Sequence, residues 1–158
     1  MELLPILDSL EKNKEFADNP YCLESLVTSI NYYNRIGYHP PWIGYYARKD
    51  NQLVGTGGFK GAPFKGRVEI AYGTFDRFRR QGVGTELCAK LVELSLKTDP
   101  TVLITARTLP QKNFSTRILE KNDFEWLGTV QDIDDGEVWE WVLRRLPASR
   151  RPSAWQAG

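Results

Sequence analysis

Residues that ligate metals or form disulfide bonds are scarce in this sequence. Its 158 residues include two cysteines, Cys22 and Cys88, and one histidine, His39. Two cysteines do not make a disulfide framework, and with a single histidine they do not complete a zinc-ligand set. The sequence therefore predicts a protein that binds no metal.

Long apolar runs and an excess of one charge are also missing. No run approaches the roughly 20 apolar residues of a membrane-spanning helix, and the first residues lack the basic and apolar regions of a secretory signal. The 21 basic residues nearly balance the 20 acidic ones, so the formal net charge is +1. A near-neutral chain has no general attraction to nucleic acid or to an acidic membrane. We expect a cytoplasmic protein that binds neither.

The length and the average composition predict one folded domain. Apolar residues make up 41% of the chain and charged residues 26%, which is typical of a globular protein. We assign this domain to residues 1–146. Residues 147–158 are rich in serine, alanine, arginine and proline, and this composition predicts a loose tail.

Hydrophobic spacing and turn residues predict an α/β protein. Two helices are expected first, at residues 5–17 and 20–37. The predicted strands are 42–48, 52–59, 67–75 with a bulge at Gly73, 101–106, 125–130 and 137–144, and the later helices are 84–97 and 113–121. Strands and helices that alternate in the second half favour a mixed sheet with helices packed on it.

The most informative feature is a glycine turn between a predicted strand and the helix that follows it. The turn reads Arg79-Arg80-Gln81-Gly82-Val83-Gly84-Thr85. Two glycines let the backbone approach a bulky anion, and the first helical turn presents unpaired N–H groups and the positive end of the helix dipole. The turn lacks the Gly-Lys-Ser/Thr of a P-loop and the third glycine of a dinucleotide fingerprint. It predicts a phosphate site in which two arginines add positive charge.

Two further motifs flank this turn and carry a family resemblance. Glu69-Ile70-Ala71-Tyr72 precedes the turn, and Asn113-Phe114-Ser115 begins a helix that ends in Leu119-Glu120-Lys121. With Arg-x-x-Gly-x-Gly between them, residues 40–144 resemble the GNAT acetyltransferases, and most of all the RimJ/RimL-like branch. The resemblance implies the GNAT fold, which is a mixed, mostly antiparallel central sheet flanked by helices and splayed at the strand before the turn.

The resemblance also implies acetyl-coenzyme A as the acetyl donor. In the family, pantetheine pairs with the splayed strand like an extra strand, and a backbone N–H, here near Thr74, faces the thioester oxygen. Lys112 stands where the branch usually has asparagine, and Asn113 follows it. The implied coenzyme-binding residues are Tyr72, Thr74, Phe75, Arg79, Arg80, Gln81, Gly82, Val83, Gly84, Thr85 and Asn113.

Two residues are candidates for the chemistry of transfer. Glu69 lies on the strand before the turn and could accept the proton of an incoming ammonium; alternatively, it is a solvated strand carboxylate. Ser115 could donate a hydrogen bond to the departing sulfur; alternatively, it caps the helix that it begins. The aromatic segment 32–46 lies where the family has its acceptor pocket, although aromatic residues of this kind also build cores.

We therefore expect an enzyme that transfers acetyl from acetyl-coenzyme A directly to a primary amine, on a small molecule or at a protein N-terminus. An acyl-enzyme is not expected because His39 is the single histidine. The alternatives are a catalytically silent coenzyme-A-binding module with a sensing or structural role, and a transferase of longer acyl groups. Family resemblance does not identify the acceptor, and it is compatible with a homodimer.

Overall fold

The computed structural model describes residues 1–144, so the tail predicted at 147–158 lies outside the described residues. None of the helices described within residues 1–144 is both long and apolar enough to cross a membrane. The elements, in chain order, are β1 Glu2–Pro5, α1 Lys14–Ala17, α2 Leu23–Ile36, β2 Gly44–Lys49, β3 Gln52–Phe59, β4 Arg67–Thr74, α3 Val83–Thr98, β5 Leu103–Thr108, α4 Phe114–Lys121, β6 Phe124–Asp132 and β7 Gly136–Leu143.

The seven strands form one mixed sheet in the order β1-β2-β3-β4-β5-β7-β6. Only β4 and β5 pair in parallel among these strands, and α3 makes the crossover between them. Tyr72 of β4 lies near Cys88 of α3, whereas Glu69 lies near Tyr32 of α2. Because side chains alternate between the two faces of a strand, α2 and α3 cover opposite faces of the sheet. The fold class predicted from the sequence is confirmed.

The predicted helix 5–17 is wrong in its first half, because the chain begins with a strand and becomes helical only at residues 11–17. β1 pairs with β2, with Leu3 opposite Ala47. After it, residues 6–10 form a loop organised by the buried Asn13 side chain, which accepts the Leu7 N–H and donates to the carbonyls of Leu7 and Ser9. Pairing with a distant strand edge therefore overrides the local helical spacing of the apolar residues.

The other predicted helices and strands are present, with ends that differ by a turn or less. The bulge expected at Gly73 is wrong: β3 and β4 keep a regular register from the Gly55–Thr74 pair to the Phe59–Ile70 pair. The irregularity lies instead between β2 and β3, at Ala47 and Arg48. Gly73 instead leaves open space beside β4, because a Cβ built on it meets no atom of residues 1–144 within 4 Å.

Candidate active site

The parallel strands β4 and β5 separate halfway along their length. Their pairing runs from Arg67 opposite Leu103 to Ile70 opposite Ala106. Beyond that point, among residues 1–144, β5 pairs only with β7, and residues 71–74 of β4 pair only with β3. A wedge-shaped gap therefore opens along the carboxyl-terminal half of β4, as the predicted splay requires.

Backbone groups of β4 point into this gap. The Glu69 carbonyl accepts the Lys60 N–H and the Phe75 N–H donates to the Val54 carbonyl, each at 2.9 Å, so these residues bond towards β3. Because backbone groups alternate in direction along a strand, Tyr72 and Thr74 direct theirs towards β5 and into the gap. Tyr72 is the innermost of the two. The gap can therefore pair with an extended ligand as a neighbouring strand would.

The glycine turn stands at the outer end of the gap. Gly82 is the N-cap of α3 with φ of 78°, and no side chain of the described residues caps the first turn of this helix. Arg79 lies 3.0 Å from Asp76, and both side chains are exposed to solvent. Uncapped N–H groups, the helix dipole and arginines together form an environment suited to phosphate.

The two glycines of the turn have different structural roles. A Cβ on Gly84 would lie 2.5 Å from Cδ1 of Ile118 and 3.5 Å from Oγ1 of Thr74, whereas a Cβ on Gly82 would meet nothing within 4 Å. Gly84 therefore lets α4 pack closely on α3, and Gly82 supplies the left-handed backbone conformation that starts the helix. The sequence motif alone does not separate these roles.

Replacing Gly84 with valine is expected to destabilise the fold by about 1–3 kcal/mol, the usual cost of overpacking. Denaturant unfolding of Gly84→Val, of Ile118→Ala and of the double variant measures this effect. If the contact with Ile118 is the cause, the double variant is more stable than the sum of the two single losses predicts. Simple additivity would mean that Gly84 matters for another reason.

The start of α4 meets the gap from the side. Asn113 caps this helix: its Oδ1 accepts the Thr116 N–H at 3.1 Å, and Thr116 Oγ1 accepts the Asn113 N–H at 3.0 Å. The alternative interpretation of Ser115 as the cap is therefore wrong. The Tyr72 hydroxyl donates to the Ser115 carbonyl at 3.4 Å, which places the first turn of α4 beside the inner end of the gap.

A cavity of about 400 Å³ lies under α2, on the face of the sheet opposite the one that α3 covers. It is lined by the aromatic residues Tyr32, Tyr33 and Tyr45, by Lys60, and by small residues of β3 and β4 that include Ala71 and Gly73. Tyr72 and Gly73 border this cavity, and Tyr72 also borders the gap. A molecule in the cavity and a ligand in the gap would therefore meet beside these two residues.

The aromatic segment 32–46 divides between cavity and core. Tyr46 is fully buried and packs against Phe16. Tyr33 lines the cavity, but its hydroxyl donates to the Ile6 carbonyl and accepts the Gly44 N–H. Burial raises the pKa of Tyr33 to about 12, so this residue stays neutral at physiological pH. Its hydroxyl joins α2 to the sheet.

Glu69 belongs to a network of charged side chains that the sequence did not reveal. Its carboxylate lies 2.9 Å from Lys60 and 3.8 Å from Arg107. Arg107 in turn lies 2.9 Å from Asp132 and 3.1 Å from Glu140. The Glu69 side chain is only 19% exposed, so the alternative of a solvated strand carboxylate is wrong. Lys60 lines the cavity, and its contact with Glu69 connects the cavity to this network.

The network fixes the charge of Asp132 near the end of β6. Backbone N–H groups of Asp134 and Asp135 and the Arg107 guanidinium lower the pKa of Asp132 to about 2. Asp132 is therefore ionised at neutral pH and holds Arg107 beside Glu69. The network joins side chains from β4, β5, β6 and β7, which explains why no local sequence pattern marks it.

A wider groove of about 1050 Å³ lies beside the carboxyl end of β4. It borders Thr74 and Phe75, and its charged lining residues are Glu15, Asp18, Asp76 and Arg77. Three carboxylates and one guanidinium make it a poor environment for phosphate groups. The glycine turn has the more suitable chemistry for such a ligand.

The family assignment follows from comparison with known proteins. A family model described as an acetyltransferase (GNAT) domain matches residues 8–125, and the chain belongs to this family. It is 32% identical over 125 residues to the uncharacterised N-acetyltransferase YjdG of Bacillus subtilis strain 168, covering 78% of this chain and 68% of that protein.

Solved structures share the fold at lower identity. The aminoglycoside acetyltransferase AAC(6')-Ib in complex with coenzyme A and kanamycin superposes with a TM-score of 0.64 at 23% identity, over 91% of this chain and 93% of that one. A ribosomal-protein-alanine N-acetyltransferase from Brucella melitensis gives a TM-score of 0.61 at 17% identity, over 90% and 98%. These likenesses show that the fold is that of GNAT acetyltransferases.

Proposed function

We propose that this protein is an N-acetyltransferase of the RimJ/RimL-like branch that transfers acetyl from acetyl-coenzyme A directly to a primary amine. The observation that carries the proposal is the continuity of the β4–β5 gap with the uncapped first turn of α3. The Glu69-Ile70-Ala71-Tyr72 motif supports the branch. A single domain over residues 1–146, a cytoplasmic location and a homodimer remain predictions.

The donor half of the site is assigned to the gap and the turn. Phosphate oxygens of the coenzyme accept N–H groups from the turn, Gln81 to Thr85, with Arg79 and Arg80 alongside. Pantetheine pairs with the free backbone groups of β4, with Phe75 at the outer end. The Tyr72 N–H, the innermost of these groups, faces the thioester oxygen and stabilises its negative charge during attack. This refines the sequence-based expectation, which placed that donor near Thr74.

The acceptor half is assigned to the cavity under α2. An amine there approaches the thioester from the face of β4 opposite α3, beside Gly73. Glu69 is the proposed base that removes the proton of the acceptor ammonium. In the structure, the Lys60 ammonium occupies the position beside Glu69 that the acceptor ammonium would take. Ser115, at the start of α4, is the proposed hydrogen-bond donor to the departing sulfur. Asn113 orients the start of this helix through its side-chain oxygen, and its side-chain nitrogen is the proposed hydrogen-bond donor to the coenzyme.

Thiol release from acetyl-coenzyme A in the presence of a panel of primary amines tests the proposed activity. We expect release that depends on an amine, with formation of the N-acetyl product. Coenzyme binding without release for any amine would support the silent binding module instead. Faster release from longer acyl-coenzyme A esters would support the transferase of longer acyl groups.

Replacing both Arg79 and Arg80 by alanine is expected to lower the affinity for coenzyme A by about tenfold or more, because each charge-assisted hydrogen bond contributes about 1.5–3 kcal/mol. Pantetheine lacks the phosphates, so its affinity is expected to change little. Calorimetric titration of both ligands measures the difference. The loss of affinity for coenzyme A should become smaller as the salt concentration rises, since exposed charges are screened within about 8–10 Å at moderate ionic strength.

Arg77 provides a matched control for this variant. It is also exposed, and its guanidinium lies 5.0 Å from the ring centre of Phe78, outside the turn. Arg77→Ala is expected to keep the affinity for coenzyme A. An equal loss for coenzyme A and pantetheine in the double variant would indicate that the turn had collapsed, and unchanged affinity for both would refute the phosphate assignment.

A further inference from the structure

Lys60 is an amine that the protein itself presents in the proposed acceptor cavity. It follows β3 directly, its side chain is 37% exposed, and it lines the cavity together with Ala71, Tyr72 and Gly73. Its Nζ lies 2.9 Å from Oε2 of Glu69, the proposed base. Lys60 therefore occupies the position that an acceptor ammonium needs in order to reach Glu69.

We propose that Lys60 is itself an acetyl acceptor, so that the protein modifies this residue when acetyl-coenzyme A is bound and no other amine fills the cavity. This inference rests on the proposed function. It assigns a modification site to a residue that the transfer reaction does not otherwise require. It also predicts that a free acceptor amine competes with Lys60.

The step balances without a further reactant. The Glu69 carboxylate takes one proton from the Lys60 ammonium, and the neutral amine attacks the thioester carbonyl carbon. The C–S bond then breaks, and coenzyme A leaves as a thiolate. The nitrogen loses its second proton as the amide forms, and the thiolate is protonated to the thiol. The net products are one acetyl-lysine, free coenzyme A and one proton.

The ion pair with Glu69 determines how this reaction depends on pH. Burial of Lys60 acts to lower its pKa. The hydrogen bond and the charge of Glu69, with smaller contributions from Asp132 and Tyr32, outweigh this effect, so the pKa lies above its usual value. The amine is therefore mostly protonated at neutral pH, and self-acetylation is expected to accelerate as pH rises. Acetylation removes the positive charge and ends the ion pair, which leaves an acetamide in the cavity.

Incubation of the full chain with acetyl-coenzyme A alone, followed by intact mass measurement and peptide mapping, tests this inference. We expect one acetyl group at Lys60, added at least about tenfold faster than at exposed lysines, because a bound and oriented amine reacts at a high effective concentration. Lys65 and Lys97 are both exposed and serve as internal controls in the same sample. Addition of a free acceptor amine should slow the reaction at Lys60.

Two variants separate this reaction from spontaneous acetylation. Lys60→Arg keeps a cation beside Glu69 but is not acetylated, so the site-specific product should disappear. The Arg79→Ala, Arg80→Ala variant should slow the reaction at Lys60 but not at Lys65 when acetyl-coenzyme A is subsaturating. Acetylation that is equal at Lys60 and Lys65 would overturn the inference.

The experiments distinguish a failure of self-acetylation from a failure of acetyl transfer to free amines. If the protein releases thiol with a free amine but Lys60 stays unmodified on incubation with acetyl-coenzyme A alone, self-acetylation is refuted and the proposed function is kept. Failure to bind coenzyme A, or to release thiol with any amine, would instead refute the proposed function.

Discussion

Glu69→Gln is expected to lower kcat at neutral pH by about 10²–10⁴-fold, the usual effect of removing a general base. The KM for acetyl-coenzyme A should change little, because the proposed coenzyme contacts lie along Tyr72 to Thr85 and do not include Glu69. Glutamine keeps the size of the side chain and can still accept a hydrogen bond from Lys60, but it cannot take the ammonium proton. Steady-state rates across a pH range, with an acceptor found in the amine panel, measure the effect.

Glu140 is the matched control for Glu69. It belongs to the same charged network, 3.0 Å from Arg67 and 3.1 Å from Arg107, whereas Glu69 contacts Lys60, which lines the cavity. Glu140→Gln is expected to reduce stability while kcat is retained. Equal rate losses in both variants would attribute the effect to the network, and full activity of Glu69→Gln at every pH would place the base elsewhere.

Gly73→Val is expected to reduce acetyl transfer by about 10²-fold or more, because small displacements of reacting groups have effects of this size. A Cβ on Gly73 meets no protein atom within 4 Å, and the residue borders the cavity beside Tyr72. Valine is well tolerated in a strand, so the fold should remain intact. Rates of transfer, unfolding curves and coenzyme A titration together measure this variant.

Alanine and valine at position 73 allow the effect of side-chain size to be compared. Gly73→Ala adds one carbon atom and should raise the KM for the acceptor less than valine does. Coenzyme A affinity should be retained in both, since the side chain points away from α3. Full activity of the valine variant would contradict the assignment of the acceptor to this cavity.

Local signals were sufficient to predict the elements that hold the proposed donor half of the site. The strand pattern before Phe75, the glycine turn and the apolar face of the next helix are each encoded within a short stretch of sequence. β1 was missed because its pairing partner lies more than forty residues away, with Leu3 opposite Ala47. The spacing of apolar residues along a segment carries no information about which distant strand is available to pair with it.

The acceptor half was predictable only in part. Asn113 and Thr116 are spaced as a capping box, so the cap of α4 could have been read from the sequence. The contact between Lys60 and Glu69 could not, because it depends on the register between β3 and β4. The same holds for Arg107 and the carboxylates from β6 and β7, which meet only when the sheet assembles.

Titration of the full chain with coenzyme A, followed residue by residue through backbone amide chemical shifts, tests the central claim most directly. Binding at the proposed site predicts large shifts at Tyr72, Thr74 and residues 81–85. It predicts small shifts at Asn51 and Gln52, which line the wider groove beside the carboxyl end of β4, here called the acidic groove. Pantetheine should shift Tyr72 and Thr74 and leave residues 81–85 nearly unchanged. Shifts centred on the acidic groove, or no shift at the turn on saturation with coenzyme A, would contradict the account.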